Sequence, residues 1–308
     1  MVSFDDVVAA REAIAGRLHR TPVFSSETLG AGVFLKAELF QKTGSFKPRG
    51  VLTNLAALSE EQKRRGVIAI SAGNHAQAVA WGAARAGVDA LLVMWRGASE
   101  AKLAATRGYG AAVDLEAANP TEAFERLDVL LAETGRTLVH PFDSPLTIAG
   151  QGTVGLEILE DVPEVDAIVV PVGGGGLIAG IAAAAAGRAR VIGVEPELST
   201  AMRSALAAGK PVPVTPTSIA DGLSAPFAGQ NTLAIVREHV EEIVLVSEEE
   251  IEDAFRFLYE RAKLAVEPAG AAAVAALRAG KIRGERVVCV VSGGNVAAET
   301  ASAILARR

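Results

Sequence analysis

The 308-residue sequence has one cysteine, few aromatic residues and no basic run. With only Cys289, which lies in an apolar run and is expected to be a buried structural thiol, an internal disulfide is impossible and a reducing compartment is favoured. The formal net charge of −6 argues against a nucleic-acid partner. The longest apolar stretch, 177–186, is too short and too rich in Gly and Ala to span a membrane. Residues 1–8 do not resemble a signal peptide, so we expect a cytoplasmic protein.

Half of the residues are apolar, and Ala, Val, Ile, Leu and Gly dominate the composition. Short β-branched runs alternate with segments of helical spacing, which predicts an α/β fold with open, largely parallel, twisted sheets and helices on both faces. The predicted strands are 33–36, 67–71, 90–94, 111–115, 137–139, 167–172, 191–195, 243–246 and 287–292. The predicted helices are 5–15, 46–58, 74–86, 98–106, 121–134, 147–160, 176–187, 198–208, 248–262, 268–278 and 295–306.

The length of the chain favours two domains. Residues 51–140 hold a compact set of alternating elements and are assigned to a small domain. Residues 1–50 and 141–308 then make the large domain, and we expect the functional site in the cleft between the two. The segment 211–229, rich in Pro, Thr, Ser and Ala, is the candidate for an irregular functional loop.

A lysine lies at a predicted helix start in the segment 42–50, KTGSFKPRG. Gly44 permits a tight turn, Ser45 is a good N-cap, and Pro48 is tolerated in the first turn. Lys47 is then beside the positive end of the helix dipole, which favours a neutral amine. A neutral amine is what Schiff-base chemistry requires, whereas most lysines are only solvated surface residues.

Polar residues follow the predicted strand 67–71 in the segment 71–75, SAGNH. Hydroxyl, amide and imidazole groups meet the N–H groups of a helix start there, an arrangement that suits a carboxylate. An alternative is that Ser71 and Asn74 only cap the helix. The sequence AISAG also approaches a nucleophile elbow with Ala in place of the first Gly, but no suitable Asp/His pair follows, so a hydrolase is a minor alternative.

Four consecutive glycines, 173–176, separate a predicted strand from an Ala-rich helix. Glycine lets the backbone approach a phosphate closely, and the N–H groups and dipole of the helix start bind the anion. Gly174, Gly176 and Ala179 also satisfy the G-x-G-x-x-A pattern, with Glu195 at about the distance expected for a ribose contact. On this motif alone, a nicotinamide or flavin enzyme stays open.

Two further boundaries carry polar residues. The predicted strand 287–292 ends on Ser292 and continues into Gly-Gly-Asn. Glu267 precedes the predicted helix 268–278, where pairing of a carboxylate with the helix dipole is the plain explanation. In open α/β sheets ligands bind beyond the carboxyl ends of strands, which is where these turns lie.

Together these segments resemble the serine/threonine dehydratase family of fold type II pyridoxal-phosphate enzymes, which also contains serine racemases. The resemblance covers nearly the whole chain, in order, through KAELFQKTGSFKPRG, SAGNHAQAVAW, HPFDSPLTIAGQGT, VPVGGGGLIAGIA, IADG, VEPAGAAA and VVSGGN. It implies pyridoxal 5'-phosphate as cofactor, a small amino acid as substrate and a possible homodimer. The implied reaction removes water from L-threonine or L-serine and yields 2-oxobutanoate or pyruvate with ammonia.

The resemblance also implies roles for matching positions. Lys47 carries the cofactor as a Schiff base and then serves as the base at the α-hydrogen. Phe46 packs on the cofactor ring, Asn74 bonds its hydroxyl, Ser292 faces its nitrogen and Gly222 approaches its opposite face. The implied phosphate contacts are Gly173, Gly174, Gly175, Gly176 and Leu177. The implied substrate contacts are Ser71, Ala72, Asn74 and His75.

Three departures refine this interpretation. Racemases of the family carry a second serine where this chain has Ala72, so elimination is favoured over racemisation. Glu195 matches a cation-binding glutamate of those racemases, but the matching aspartate position is Ala201, so we expect a weak metal site or none. The chain ends soon after Asn295, which leaves no room for a regulatory domain, and we expect no feedback control. A dehydratase of 3-hydroxyaspartate, a β-replacement enzyme, a serine racemase and a non-catalytic cofactor-binding protein stay open.

Overall fold

The computed structural model describes residues 1–98 and 100–307. Its strands are β1 (Val23–Ser25), β2 (Val33–Ala37), β3 (Val67–Ile70), β4 (Ala90–Trp95), β5 (Ala112–Ala117), β6 (Thr137–Leu138), β7 (Ala167–Pro171), β8 (Arg190–Pro196), β9 (Glu242–Val246) and β10 (Val287–Val291). Its α-helices are α1 (Phe4–Ala13), α2 (Pro48–Ala56), α3 (Glu60–Arg65), α4 (Asn74–Ala86), α5 (Glu100–Gly108), α6 (Pro120–Thr134), α7 (Pro145–Asp161), α8 (Gly176–Ala185), α9 (Ala201–Ala208), α10 (Gln230–His239), α11 (Glu248–Glu260), α12 (Pro268–Arg278) and α13 (Ala298–Ala306). Short 3₁₀ turns span Glu38–Phe40, Lys42–Gly44 and Asp221–Leu223.

The strands form two sheets. One has the order β1-β2-β10-β7-β8-β9, and the other has the order β5-β4-β3-β6. Every neighbouring pair is parallel except β1 with β2. The central strands β7 and β10 are buried along their whole length, as expected for parallel strands that are covered on both faces. The predicted α/β fold with largely parallel sheets is therefore confirmed.

Helices cover both faces of each sheet. On the six-stranded sheet, α7 and α8 contribute to one apolar core and α11 and α12 to the other. On the four-stranded sheet, α2 and α4 pack on one face and α6 on the opposite face. Cys289 lies in β10 and is buried, and burial raises the pKa of its thiol to about 12. The prediction of a structural thiol is confirmed.

Each predicted strand and helix is present, with ends displaced by no more than three residues. The sequence analysis missed β1, α3 and α10. β1 is three residues long and carries exposed Phe24, so it lacks the buried alternation of a strand. α3 reads EEQKRR and has no apolar face; its start is instead fixed by a capping box between Ser59 and Gln62.

The four-stranded sheet lies within residues 67–138. The α2 residues Val51, Leu52 and Leu55 belong to its apolar core. The domain limits at 51 and 140 stay a prediction. Among the described residues, every helix is too short or too polar to cross a membrane.

Candidate active site

The segment that carries Lys47 lies against the end of β10. Ser45 forms an antiparallel bridge with Gly293, and the Phe46 N–H donates to the Ser292 carbonyl at 3.1 Å. β10 lies between β2 and β7. Ser292 and the glycine turn therefore leave neighbouring strands at the same edge of the sheet, as the sequence indicated.

Ser45 does not cap the helix, so that expectation is wrong. α2 begins at Pro48, and Lys47 occupies the N-cap position without a side-chain capping bond. Ser45 is extended, with φ −161° and ψ 167°, because its backbone pairs with Gly293. Its buried hydroxyl has no hydrogen-bond partner among the described residues.

The amine of Lys47 is enclosed and weakly partnered. Its Nζ donates to the Pro141 carbonyl at 3.0 Å and lies 5.1 Å from the centroid of the Phe46 ring. Burial lowers the pKa of Lys47 to about 8, although Glu267 opposes the shift. The predicted shift towards the neutral amine is confirmed, but its main cause is burial and not the helix dipole.

The glycine turn presents free backbone donors. In the described ranges, the N–H groups from Gly173 to Ile178 donate to no protein acceptor. A Cβ atom at Gly174 would lie 2.4 Å from the Phe142 ring, and Gly175 has φ +96°. Larger side chains would clash, so the turn and the start of α8 form a cradle that fits a phosphate group.

One dipeptide connects the lysine to the glycine turn. Pro141 accepts the hydrogen bond from Lys47, and the next residue, Phe142, packs on the turn. A Cβ atom at Gly176 would lie 2.9 Å from the Phe142 backbone. The amine and the anion cradle therefore contact adjacent residues of one short segment.

Asn74 is not a helix cap. Gly73 holds the N-cap position of α4, while the Asn74 side chain donates to Glu267 Oε1 at 2.7 Å. The amide of Asn295 in turn donates to Asn74 Oδ1 at 2.8 Å. The alternative in which Asn74 only caps the helix is therefore wrong. Ser71 acts locally, because its hydroxyl accepts the Gly73 N–H at 3.1 Å.

His75 is buried and neutral. Its Nε2 donates to the Val139 carbonyl at 2.8 Å, and burial lowers the pKa of the imidazole to about 3. Its ring therefore offers no free N–H to a substrate. At this helix start the backbone N–H groups of Ala72, Asn74 and His75 have no acceptor in the described part of the chain, so they suit a carboxylate.

Glu267 lies beside these residues, although sequence analysis assigned its carboxylate only to the helix dipole. Its side chain is 4% exposed, and burial raises its pKa to about 8, with nearby Asp221 adding to the shift. A Cβ atom at Gly222 would lie 3.6 Å from Glu267 Oε1, so the predicted cofactor contact Gly222 lies beside it. The only indication in the sequence was its position directly before α12. A carboxylate in that position is already explained by pairing with the helix dipole, so it did not point to a functional site.

Glu195 stabilises a helix end. Its two carboxylate oxygens accept the N–H groups of Met202 and Arg203 at 2.7 and 2.9 Å, and burial raises its pKa to about 7. Glu195 is fully buried, so a ribose cannot reach its carboxylate. Across residues 1–98 and 100–307, no group of three His, Cys, Asp or Glu side chains is placed to hold a metal ion.

Comparisons with known proteins agree with this geometry. The family model for "Pyridoxal-phosphate dependent enzyme" matches residues 14–293. L-threonine ammonia-lyase of Thermotoga maritima is 45% identical over 306 residues, covering 96% of this chain and 76% of that protein. The catabolic L-threonine dehydratase TdcB of Escherichia coli K12 is 43% identical over 307 residues, covering 96% and 93%. The structure of maize serine racemase has a TM-score of 0.92 at 39% identity and covers 97% of this chain and 95% of that one.

These matches decide between the open cofactor classes. The dinucleotide and hydrolase alternatives are wrong, since the matched family spans most of the chain and uses a different cofactor. The enclosed amine of Lys47 and the free N–H groups of the glycine turn fit the aldehyde and the phosphate of that cofactor. The chain belongs to the pyridoxal-phosphate-dependent enzyme family.

Proposed function

We propose that this enzyme is an L-threonine and L-serine ammonia-lyase. It removes water across Cα and Cβ of the substrate and yields 2-oxobutanoate from threonine or pyruvate from serine, together with ammonia. The observation that carries the proposal is the enclosed amine of Lys47 beside the anion cradle, in a chain similar to two threonine-degrading enzymes.

Lys47 serves as the base. The bound cofactor supplies an electron sink for the bond to the α-hydrogen. With the substrate bound and the Lys47 amine free, its Nζ would take the α-proton, and a pKa near 8 suits both uptake and return of that proton. The β-hydroxyl then leaves with a proton as water. Once released from the site, the enamine product would tautomerise to an imine, which takes up one water molecule and gives the 2-oxo acid and ammonia.

The remaining site residues bind and orient. The N–H groups from Gly173 to Leu177 hold the phosphate, because they have no acceptor in the described chain. Asn74 bonds the ring oxygen, and Phe46 packs against the ring. Ser292, 4% exposed at the end of β10, gives the ring nitrogen a neutral partner. Gly222 leaves space on the opposite face.

The substrate carboxylate binds at the start of α4. The free N–H groups of Ala72, Asn74 and His75 and the positive end of the helix dipole support this assignment, with Ser71 next to them.

Elimination is favoured over racemisation because Ala72 has no proton to give to the substrate. The substitution Ala72→Ser places a hydroxyl at this position. We expect the parent protein to leave the recovered L-serine unracemised and the variant to produce D-serine, as measured by chiral chromatography. Equal D-serine production by both proteins would contradict the assignment of Ala72.

The decisive test is Lys47→Ala. We expect ammonia release from threonine to fall by roughly 10²–10⁴-fold or more, with loss of the borohydride-reducible link to the cofactor. Lys63→Ala is the matched control, since Lys63 only pairs with Glu60 on an exposed helix, and it should leave both readouts unchanged. Normal 2-oxo acid production by Lys47→Ala would refute the proposal.

The proposal extends to assembly, domains and location. A homodimer is supported by the exposed rings of Phe24 and Phe40, which pack edge to face at 6.2 Å. Light scattering should show a dimer that Phe40→Asp dissociates.

The small domain is assigned to 51–140, in agreement with a sheet that lies within 67–138. A lone buried thiol, Cys289, supports a cytoplasmic location.

A further inference from the structure

Three polar side chains form a chain of hydrogen bonds beside the proposed cofactor site. Asn295 Nδ2 donates to the Thr43 carbonyl at 2.7 Å and to Asn74 Oδ1 at 2.8 Å. Asn74 Nδ2 donates to Glu267 Oε1 at 2.7 Å. These residues come from the start of α4, the residue before α12 and the segment after β10, so they join parts of the chain that are far apart in sequence.

We propose that Glu267 and Asn295 are positioning residues that fix the amide of Asn74 in one orientation, with an N–H available to the cofactor. This inference rests on the proposed function, in which Asn74 contacts the cofactor ring. It assigns a task to two residues that touch neither the lysine amine nor the phosphate cradle in the proposed arrangement.

A backbone carbonyl determines which groups donate and which accept in this series of hydrogen bonds. The Thr43 carbonyl can only accept, so the group of Asn295 that faces it must be the NH₂. The same NH₂ then requires an acceptor on Asn74, which is Oδ1. The Asn74 NH₂ is thereby turned towards Glu267, and a flipped Asn74 would place two donors against each other.

One N–H of Asn74 stays free. An amide NH₂ has two donors, and Glu267 Oε1 uses one of them. In the described ranges, the second donor has no protein acceptor. It is the group that bonds the ring oxygen of the cofactor in the proposed site.

The Thr43 carbonyl, which accepts the first of these hydrogen bonds, lies in a closely packed loop. Thr43 has φ +62°, a left-handed conformation that is uncommon for a non-glycine residue. The Gly294 N–H donates to the Gly44 carbonyl at 2.9 Å, and a Cβ atom at Gly44 would lie 2.4 Å from Asn295 Oδ1. The loop that leads to Lys47 is therefore packed directly on Asn295.

Glu267 suits a neutral acceptor role. The charged groups that face it are Asp221, Lys102 and Lys47, and burial together with Asp221 keeps its carboxyl protonated near neutral pH. A neutral acid orients Asn74 without adding a negative charge beside the ring oxygen. The isosteric Gln can present the same acceptor, whereas Leu cannot.

The test uses Asn295→Asp, Glu267→Leu and Glu267→Gln. Pyridoxal 5'-phosphate is titrated into protein from which the cofactor has been removed. We expect its dissociation constant to rise about 10-fold in the first two variants. Glu267→Gln should stay within about 2-fold of the parent. Asn119→Asp, at an exposed helix cap, is the matched control and should bind like the parent. Parent-like binding by Asn295→Asp would overturn the proposal.

A double-mutant cycle separates positioning from general structural damage. In an Asn74→Ala background, the effect of Asn295→Asp on the dissociation constant should vanish, because it acts through Asn74. Additive effects would overturn the proposal. If Glu267→Leu does not fold, the cycle with Asn295→Asp still decides. Failure of the proposed function would show separately, as full ammonia release by Lys47→Ala.

Discussion

Arg49 and Lys47 lie two residues apart at the start of α2, and both are enclosed, yet their surroundings are opposite. Arg49 donates to both oxygens of Glu38 at 2.8 Å and to both oxygens of Glu157 at 2.7 and 2.9 Å. Lys36 adds a bond to Glu157 at 2.6 Å. Two cations thus balance two acids in this cluster, and the carboxylates raise the pKa of Arg49.

Among the described residues, Lys47 has no carboxylate hydrogen-bonded to its amine. Its nearest polar contact is a carbonyl, and the acid that faces it, Glu267, is bound to an amide. The pKa values of Lys47 and Glu267 both move to about 8, in the direction of the neutral forms. Paired buried charges hold the start of α2 in place, whereas buried groups without a partner acquire the pKa values that proton transfer needs.

The largest expected effect comes from breaking the paired cluster. Arg49→Met leaves Glu38 and Glu157 buried without their main cation. We expect the free energy of unfolding to fall by about 3–5 kcal/mol, measured by urea denaturation. Arg11→Met, which removes an exposed pair with Glu160, is the control and should cost less than about 1 kcal/mol. Equal losses in both variants would show that the buried cluster stabilises the fold no more than the exposed pair does.

The pH dependence of stability sharpens the comparison from the acid side. Because the pKa of Glu267 is raised, the folded protein without cofactor binds an extra proton between pH 4.5 and 8, and its stability falls as pH rises through this window. We expect Glu267→Gln to abolish this decline in the free energy of unfolding. Parallel stability curves of parent and variant, followed by urea titration at each pH, would contradict the assignment.

The rate of cofactor uptake should depend on the pKa of Lys47. Only neutral Lys47 reacts with the aldehyde, so the rate should rise about 10-fold per pH unit below its pKa and level off above about 8. Stopped-flow absorbance of the resolved protein mixed with pyridoxal 5'-phosphate measures this rate. A midpoint near the ordinary lysine value of 10.5 would show that burial does not act as described.

The smallest effect should come from an exposed pair near the site. Lys102 on α5 pairs with Asp221, whose side chain is 58% exposed. Solvent screens such a pair, so Lys102→Ala should change the free energy of unfolding by less than about 1 kcal/mol. A thermal scan that shows a loss as large as that of Arg49→Met would place this pair with the buried cluster instead.

The α/β fold could be predicted because its strands are short buried runs, such as Val287–Val291, that local composition identifies. Lys47, Asn74 and the glycine turn could be found because each lies in a contiguous motif at a strand end or helix start. Elements without a buried apolar pattern, such as β1 and α3, could not be found in this way. The sequence also could not show that Ser45 does not cap α2, because a bridge to distant Gly293 overrides its local preference.

Partners that tertiary structure brings together were also beyond the sequence. Glu157 is 108 residues from Arg49, and Glu267 is 193 residues from Asn74. Side chains of this kind carry no local pattern that links them. The sequence therefore indicated which backbone turns belong to the proposed site but not which buried acids lie against its side chains.

The contact of Lys47 with Pro141 and of the glycine turn with Phe142 has a consequence for heating. The Lys47 amine and the glycine turn contact the adjacent residues Pro141 and Phe142. We therefore expect thermal displacement of this dipeptide to move the amine and the turn together. We expect the separation of the two ends to vary less than the distance of either end from the rest of the protein. A stiff aromatic ligand of fixed length is held best by such a coupled frame, and its retention should outlast the loosening of the surrounding loops.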